Sequence, residues 1–99
     1  RYNMLIDKGV TVGEVVTFKL TSGEELVAKL TEDGAAYYKL SRPMVIGMSP
    51  QGPALMPYLF TVAPEKEVKL QKGVVAMAEA TDKMFADQFI EQTTGIKLA

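Results

Sequence analysis

The sequence predicts a mainly β domain followed by one helix near its C-terminal end. Three observations carry this reading. Apolar and polar residues alternate at Val16, Phe18 and Leu20 and again at Leu26, Ala28 and Leu30, the period-two pattern of half-buried strands. Turn-forming residues punctuate the chain at short intervals, with Gly23, Asp33-Gly34 and all five prolines between residues 43 and 64. Near the end the spacing changes, because Phe85 and Phe89, like Ala86 and Ile90, stand one helical turn apart.

The elements follow in order within one domain spanning residues 1–99. Arg1, Tyr2 and Asn3 precede Met4 and are set aside from the fold reading as an upstream remnant. Beyond Gly13, residues 16–20 and 26–30 form a hairpin. Their buried sets both fall on even numbers, and directly opposed residues share a face, so the loop must be odd in length. A three-residue loop at Thr21-Ser22-Gly23 sets Phe18 against Leu26 and Val16 against Ala28; a longer loop with a bulge is the alternative.

Asp33-Gly34 predicts a second turn, with Ala35 to Leu40 returning antiparallel. A two-residue loop would place Tyr38 and Leu40 on the face opposite Ala28 and Leu30, so either a bulge intervenes or both faces are used. Arg42-Pro43 predicts a bend, after which Met44 to Met48 continue the strand. Ser49-Pro50-Gln51-Gly52-Pro53 reads as a tight turn with Pro50 in its second position.

The turn delivers the chain into ALMPYLFTVA, residues 54–63, which carries no charged residue. Such a run is apolar on both faces and asks for two covering surfaces. Pro57 donates no ladder hydrogen bond, so the run is expected as an edge or bent strand with regular pairing from Tyr58 to Val62, prolonged by Val68-Lys69-Leu70 beyond a solvated Glu65-Lys66-Glu67. Gly73 to Ala78 gives the last strand. Thr81 is expected to cap a helix at about residues 82–93, with Asp82 in the first turn and Gly95 as the stop.

Composition narrows the chemistry. With no cysteine and no histidine, thiolate and zinc sites and the usual nucleophile–base pairs have no residues to build them. Neither a metal, a cofactor nor an enzymatic activity is expected. Glu24 and Glu25 are adjacent and should point apart as solvated turn residues. The absence of cysteine fits a reducing cytoplasm. No run approaches the length of a membrane span, and no charged-then-apolar leader opens the chain, so no membrane partner is expected. Eleven basic and twelve acidic residues are mixed along the chain, without the basic surplus that nonspecific nucleic-acid binding requires. Six methionines read as adaptable core and interface filler.

Two patches resemble the Sm-like family over roughly residues 14–78. Phe18-Lys-Leu20-Thr-Ser-Gly23-Glu-Glu-Leu26-Val-Ala28-Lys-Leu30 is similar to the opening of the family's first motif. Lys72-Gly73-Val-Val-Ala-Met77 is similar to its second, an Arg-Gly followed by an apolar strand. The likeness extends to Sm-like proteins attributed to marine phages, which implies work in a host cytoplasm. It implies a small five-stranded, strongly bent antiparallel SH3-like barrel at about 14–78 with the helix behind it, and single-stranded RNA as partner.

Two departures mark the RNA site. With Asp33 at the family's Asp, Tyr37 stands where an Asn is usual, and Lys72 stands where Arg is usual. Tyr37 keeps a stacking surface without the amide's paired donor and acceptor, and Lys72 keeps the charge without the planar guanidinium. The implied RNA-binding set is Asp33, Tyr37, Tyr38, Lys39, Lys72 and Gly73. For the two tyrosines, half-buried strand aromatics are the alternative.

The resemblance also implies a closed homo-oligomeric ring of five to seven copies, in which the fourth strand pairs with the fifth strand of the next copy. Placing residues 54–63 at that fourth strand makes Tyr58, Leu59, Phe60, Val62, Val74 and Val75 the implied contact. Burial there would contribute about 1.5–3 kcal/mol per large side chain. In the alternative, the chain's own helix covers this stretch and the protein is a monomer. A scaffold that has lost the RNA site is the competing functional reading.

Overall fold

The computed structural model describes residues 10–96. Six antiparallel strands and one helix follow each other: β1 Val15–Leu20, β2 Glu25–Asp33, β3 Tyr37–Ser49, β4 Gly52–Pro57, β5 Glu67–Gln71, β6 Val75–Ala80 and α1 Lys83–Thr94. The sheet runs β4-β3-β2-β1-β6, with β5 also on β3. It does not close: β6 ends one side, while β4 and β5 share the other. Six strands replace the expected five because the span from 52 to 71 splits in two.

The first hairpin has the register that parity requires, with Phe18 opposite Leu26 and Val16 opposite Ala28. Its three-residue loop is closed by Leu20 N–H to Glu24 O at 2.8 Å, and Gly23 takes φ 111°, a left-handed conformation that favours glycine. In the second hairpin a register shift between Leu30 and Glu32 sets Leu40 directly against Leu30, so a bulge returns Leu40 to the core face. The return strand starts at Tyr37, not Ala35, because Gly34 N–H to Tyr37 O (2.8 Å) makes Ala35 and Ala36 the loop tip.

Strand β3 is long enough to hold two partners on one edge. Tyr37 to Ser41 pair with β5, and Met44 to Ser49 pair with β4. The change falls at Arg42 and Pro43, where the register against β2 also slips and Arg42 takes φ 54°. A non-glycine residue in that region costs about 1–2 kcal/mol. At the far end Pro50 and Gln51 form a two-residue turn between Ser49 and Gly52, as the turn residues predict.

The expected pairing from Tyr58 to Val62 is not formed. Pairing ends at Pro57, Tyr58 N–H turns back to Pro43 O at 3.1 Å, and Lys66 N–H to Ala63 O (3.0 Å) closes a turn before β5. Val68 to Leu70 therefore belong to a separate strand beside the first half of β3, not to an extension of residues 54–63. The last strand begins at Val75, after a 3₁₀ turn at Lys72–Val74, and runs on to Ala80.

Two apolar clusters lie on opposite sides of β2, whose Leu26, Val27 and Ala28 are buried in succession. The larger gathers Val16, Phe18, Leu20, Leu26, Ala28, Leu30 and Leu40 inside the bent sheet. The smaller joins Val27, Met44 and Leu55 to Phe89 of α1, with Ile90 packed alongside. Asp82, not Thr81, caps this helix: its carboxylate accepts from Met84 N–H at 3.3 Å, while the Thr81 hydroxyl pairs with that of Thr17 at 2.8 Å. Gly95 ends the helix at φ 77°.

Within residues 54–63 the chain's own helix covers Leu55, through Phe89, while Tyr58 packs on the other cluster. Met56, Leu59, Phe60 and Val62 of the same stretch stay exposed, Phe60 at 85%.

Candidate functional site

The tip of the β2–β3 hairpin meets the end of β5, and there the two sequence patches come together. Lys72 leaves β5 at the start of the 3₁₀ turn, and its backbone N–H donates to Ala36 O at 2.9 Å. Its ammonium lies 2.6 Å from Asp33 Oδ1 and 4.7 Å above the Tyr38 ring. Residues 39 apart in sequence are therefore in direct contact. Asp33 raises the Lys72 pKa, chiefly by accepting its hydrogen bond.

Tyr37 stands next to this pair. Its hydroxyl donates to Glu32 Oε2 at 3.0 Å, which raises the phenol pKa, and the Lys69 ammonium lies 4.8 Å from its ring centre. Lys39 reaches Glu32 at 3.6 Å. Gly34 packs beneath the Tyr37 ring: a Cβ there would lie 3.0 Å from Tyr37 Cζ, a tight approach that the ring would have to relieve by a few tenths of an ångström. Tyr38 points inward and packs on Phe18 with ring centres 5.0 Å apart, so it is also part of the core periphery.

Of the predicted site residues, Asp33, Tyr37, Tyr38, Lys39 and Lys72 share one cluster, and Gly73 follows in the exposed 3₁₀ turn. Glu32 and Lys69 complete it and were not anticipated. Glu32 had a readable signal, because it lies just across the predicted turn from Tyr37; Lys69 had none, because it comes opposite Lys39 only through the β3–β5 ladder. Three ammonium groups face two carboxylates, leaving one net positive charge beside two aromatic rings. Among the described residues no group of three or more histidine, cysteine, aspartate or glutamate side chains is placed to hold a metal ion.

The implied contact residues divide into two kinds. Tyr58 and Val75 pack against the larger core; the Tyr58 hydroxyl donates to Glu24 Oε2 at 3.4 Å, and burial, then Glu24, pushes its pKa up. Leu59, Phe60, Val62 and Val74 are exposed in the single chain. Glu24 sits in the turn, where it accepts from the exposed Ser22 hydroxyl, which lowers its pKa. Among the described residues no helix is long and apolar enough to cross a membrane.

No protein-family model, no curated protein and no solved structure matches the chain.

Proposed function

We propose that the chain is an Sm-like protein that forms a closed homo-oligomeric ring and binds single-stranded RNA at the Asp33–Tyr37–Tyr38–Lys39–Lys72–Gly73 cluster. The observation that carries this reading is the contact of Lys72, which opens the second motif-like patch, with Asp33 and Tyr38, which follow the first. The arrangement supplies what sequence-tolerant single-strand binding uses, aromatic faces for bases next to cations for phosphates. Each ring now carries an ammonium. A base stacking on Tyr37 or Tyr38 takes the place of that ammonium, and the displaced lysine meets the adjoining phosphate.

The bent antiparallel sheet supports an SH3-like barrel completed by neighbours. Its β5 and β6 edges are open, and an open edge is a template for strand addition. On this reading the strand that mates with β6 of the next copy is Glu67–Gln71, and exposed Leu59, Phe60, Val62 and Val74 flank that contact. Five to seven copies would close the ring.

The test is titration of labelled oligo-U and oligo-A at low and moderate salt, with mass followed by light scattering. Saturable binding that Tyr37→Ala and Lys72→Ala weaken is expected, with a salt slope smaller by about 0.7 in the lysine variant. Phe60→Asp should lower the mass without unfolding the chain, because Phe60 is 85% exposed in the single copy. Absence of binding at low salt would leave the second reading, a protein-interaction scaffold. That reading is favoured by the engagement of Lys72 and Lys69 with Asp33 and the tyrosine rings.

A further inference from the structure

A second site lies apart from the Lys72 cluster. The segment that leaves β4 runs beside the bend of β3 at Arg42–Met44 and the end of α1, bounding a half-open cleft of about 250 Å³. Its walls include Pro57, Leu59, Val62 and Val68, and its only charged lining residues are Arg42 and Lys66. Among the described residues neither cation is within ion-pair distance of a carboxylate, and Glu65 and Glu67, which flank Lys66, do not line the cleft.

We propose that this cleft binds a small organic anion with an apolar body, a medium-chain monocarboxylate. Two unpaired cations on an apolar wall match a ligand with one anionic end and one aliphatic end. The size suits a small ligand, since about 250 Å³ lies just below the range of about 300–1,000 Å³ usual for small-molecule pockets. Helix α1 ends here and its terminal carbonyls oppose an anion, but that pole amounts to roughly half a charge against two full ones. Arg42 itself occupies the left-handed backbone region at φ 54°, where asparagine or glycine fits with less strain. An arginine at that position places a cationic residue in the cleft wall at the cost of backbone strain.

Calorimetric titration with sodium octanoate, hexanoate, 1-octanol and octylammonium tests the proposal. Octanoate is expected to bind once per chain. Hexanoate should bind about fifteen-fold more weakly, at about four-fold per methylene lost. Octanol should be weaker by at least about ten-fold, the value of a charge-assisted contact, and octylammonium should not bind. Arg42→Asn and Lys66→Gln should each weaken octanoate by about ten-fold. The Arg42→Asn chain should melt no lower than the wild type, so lost binding cannot be lost folding. Equal binding of octanol and octanoate, indifference to both substitutions, or no octanoate binding would overturn the assignment. The cleft shares no residue with the Lys72 cluster, so the outcome is separate from that of the RNA titration; Leu59 and Val62 of its wall belong to the implied subunit contact, so mass is followed by light scattering in the same samples.

Discussion

Replacing Phe89 with alanine tests how the domain is built. Phe89 is 3% exposed and is the one buried residue of α1. It touches a cluster of three sheet residues, Val27, Met44 and Leu55, while the seven-residue cluster inside the sheet contains no helix residue. Truncating a buried phenylalanine costs about 3–5 kcal/mol when the whole domain feels it. A domain of 99 residues has a total stability of about 5–15 kcal/mol, so a cooperative loss of that size would lower the melting temperature by more than about 10 °C. The helix has twelve residues, too few to persist alone in water. Once Phe89 is gone, half-buried Ile90 is the remaining apolar anchor. The expected result is therefore uneven: the helix undocks and melts first, and the sheet unfolds later at a temperature closer to its original one. Circular dichroism at the helix minimum, followed against tyrosine fluorescence during heating, separates the two events. A single transition lowered by less than about 4 °C, with helical signal intact, would refute the assignment of Phe89 as the anchor.

Two further outcomes follow from local geometry. Gly23→Ala should destabilise the chain by roughly 1–2 kcal/mol, as read by urea denaturation. No atom lies within 4 Å of the added methyl, so the whole cost comes from φ 111°. Stability should fall in alkali, because Lys72 and Tyr37 both have pKa values raised above their ordinary 10.5 and 10.0. A group whose pKa is raised on folding favours its protonated form in the fold. Its contribution is complete below the unfolded value and is lost as pH rises through the folded one, so the decline lies above about pH 10. Both groups are exposed, which makes the effect modest and reducible by salt. Asp33→Asn should remove the lysine part of it, as seen by denaturation at about pH 8 and pH 11.

The first hairpin was legible because two constraints met there: buried residues of one parity on both strands, and a glycine where the loop needs left-handed backbone. The second was legible only in outline. Asp33-Gly34 marks a turn, and the parity conflict at Tyr38 and Leu40 pointed to a bulge or to two used faces without choosing between them or placing the shift near Thr31. Arg42-Pro43 announced the bend without announcing that β3 changes partners across it. Residues 54–63 misled for a physical reason. An apolar run records that surfaces are covered and does not say by what, and here Leu55 meets the helix while Leu59, Phe60 and Val62 leave the sheet. At the candidate site the aromatic and cationic residues were named from two separate patches. Glu32 was within reach of the same reading, five residues from Tyr37 across the predicted turn, whereas Lys69 depends on the pairing of β5 with β3, which local sequence does not encode.

The bend at Arg42 and Pro43 gives the two halves of β3 different tasks. Before it, Tyr37 to Ser41 bind β5 and hold the aromatic and cationic cluster at the hairpin tip. Beyond it, Met44 to Ser49 bind β4 and present Met44 to the helix. Side chains of the helix cluster and of the Lys72 cluster do not touch in the described contacts, and the ladders of β2 and β3 run between them. Packing defects under the helix should therefore reach the hairpin tip only when the sheet itself gives way. The cleft at Arg42 lies where these halves meet, bounded by β3, the loop after β4, β5 and the end of the helix. A ligand seated there would bear on all four elements at once, and its binding energy would oppose separation of the helix from the sheet.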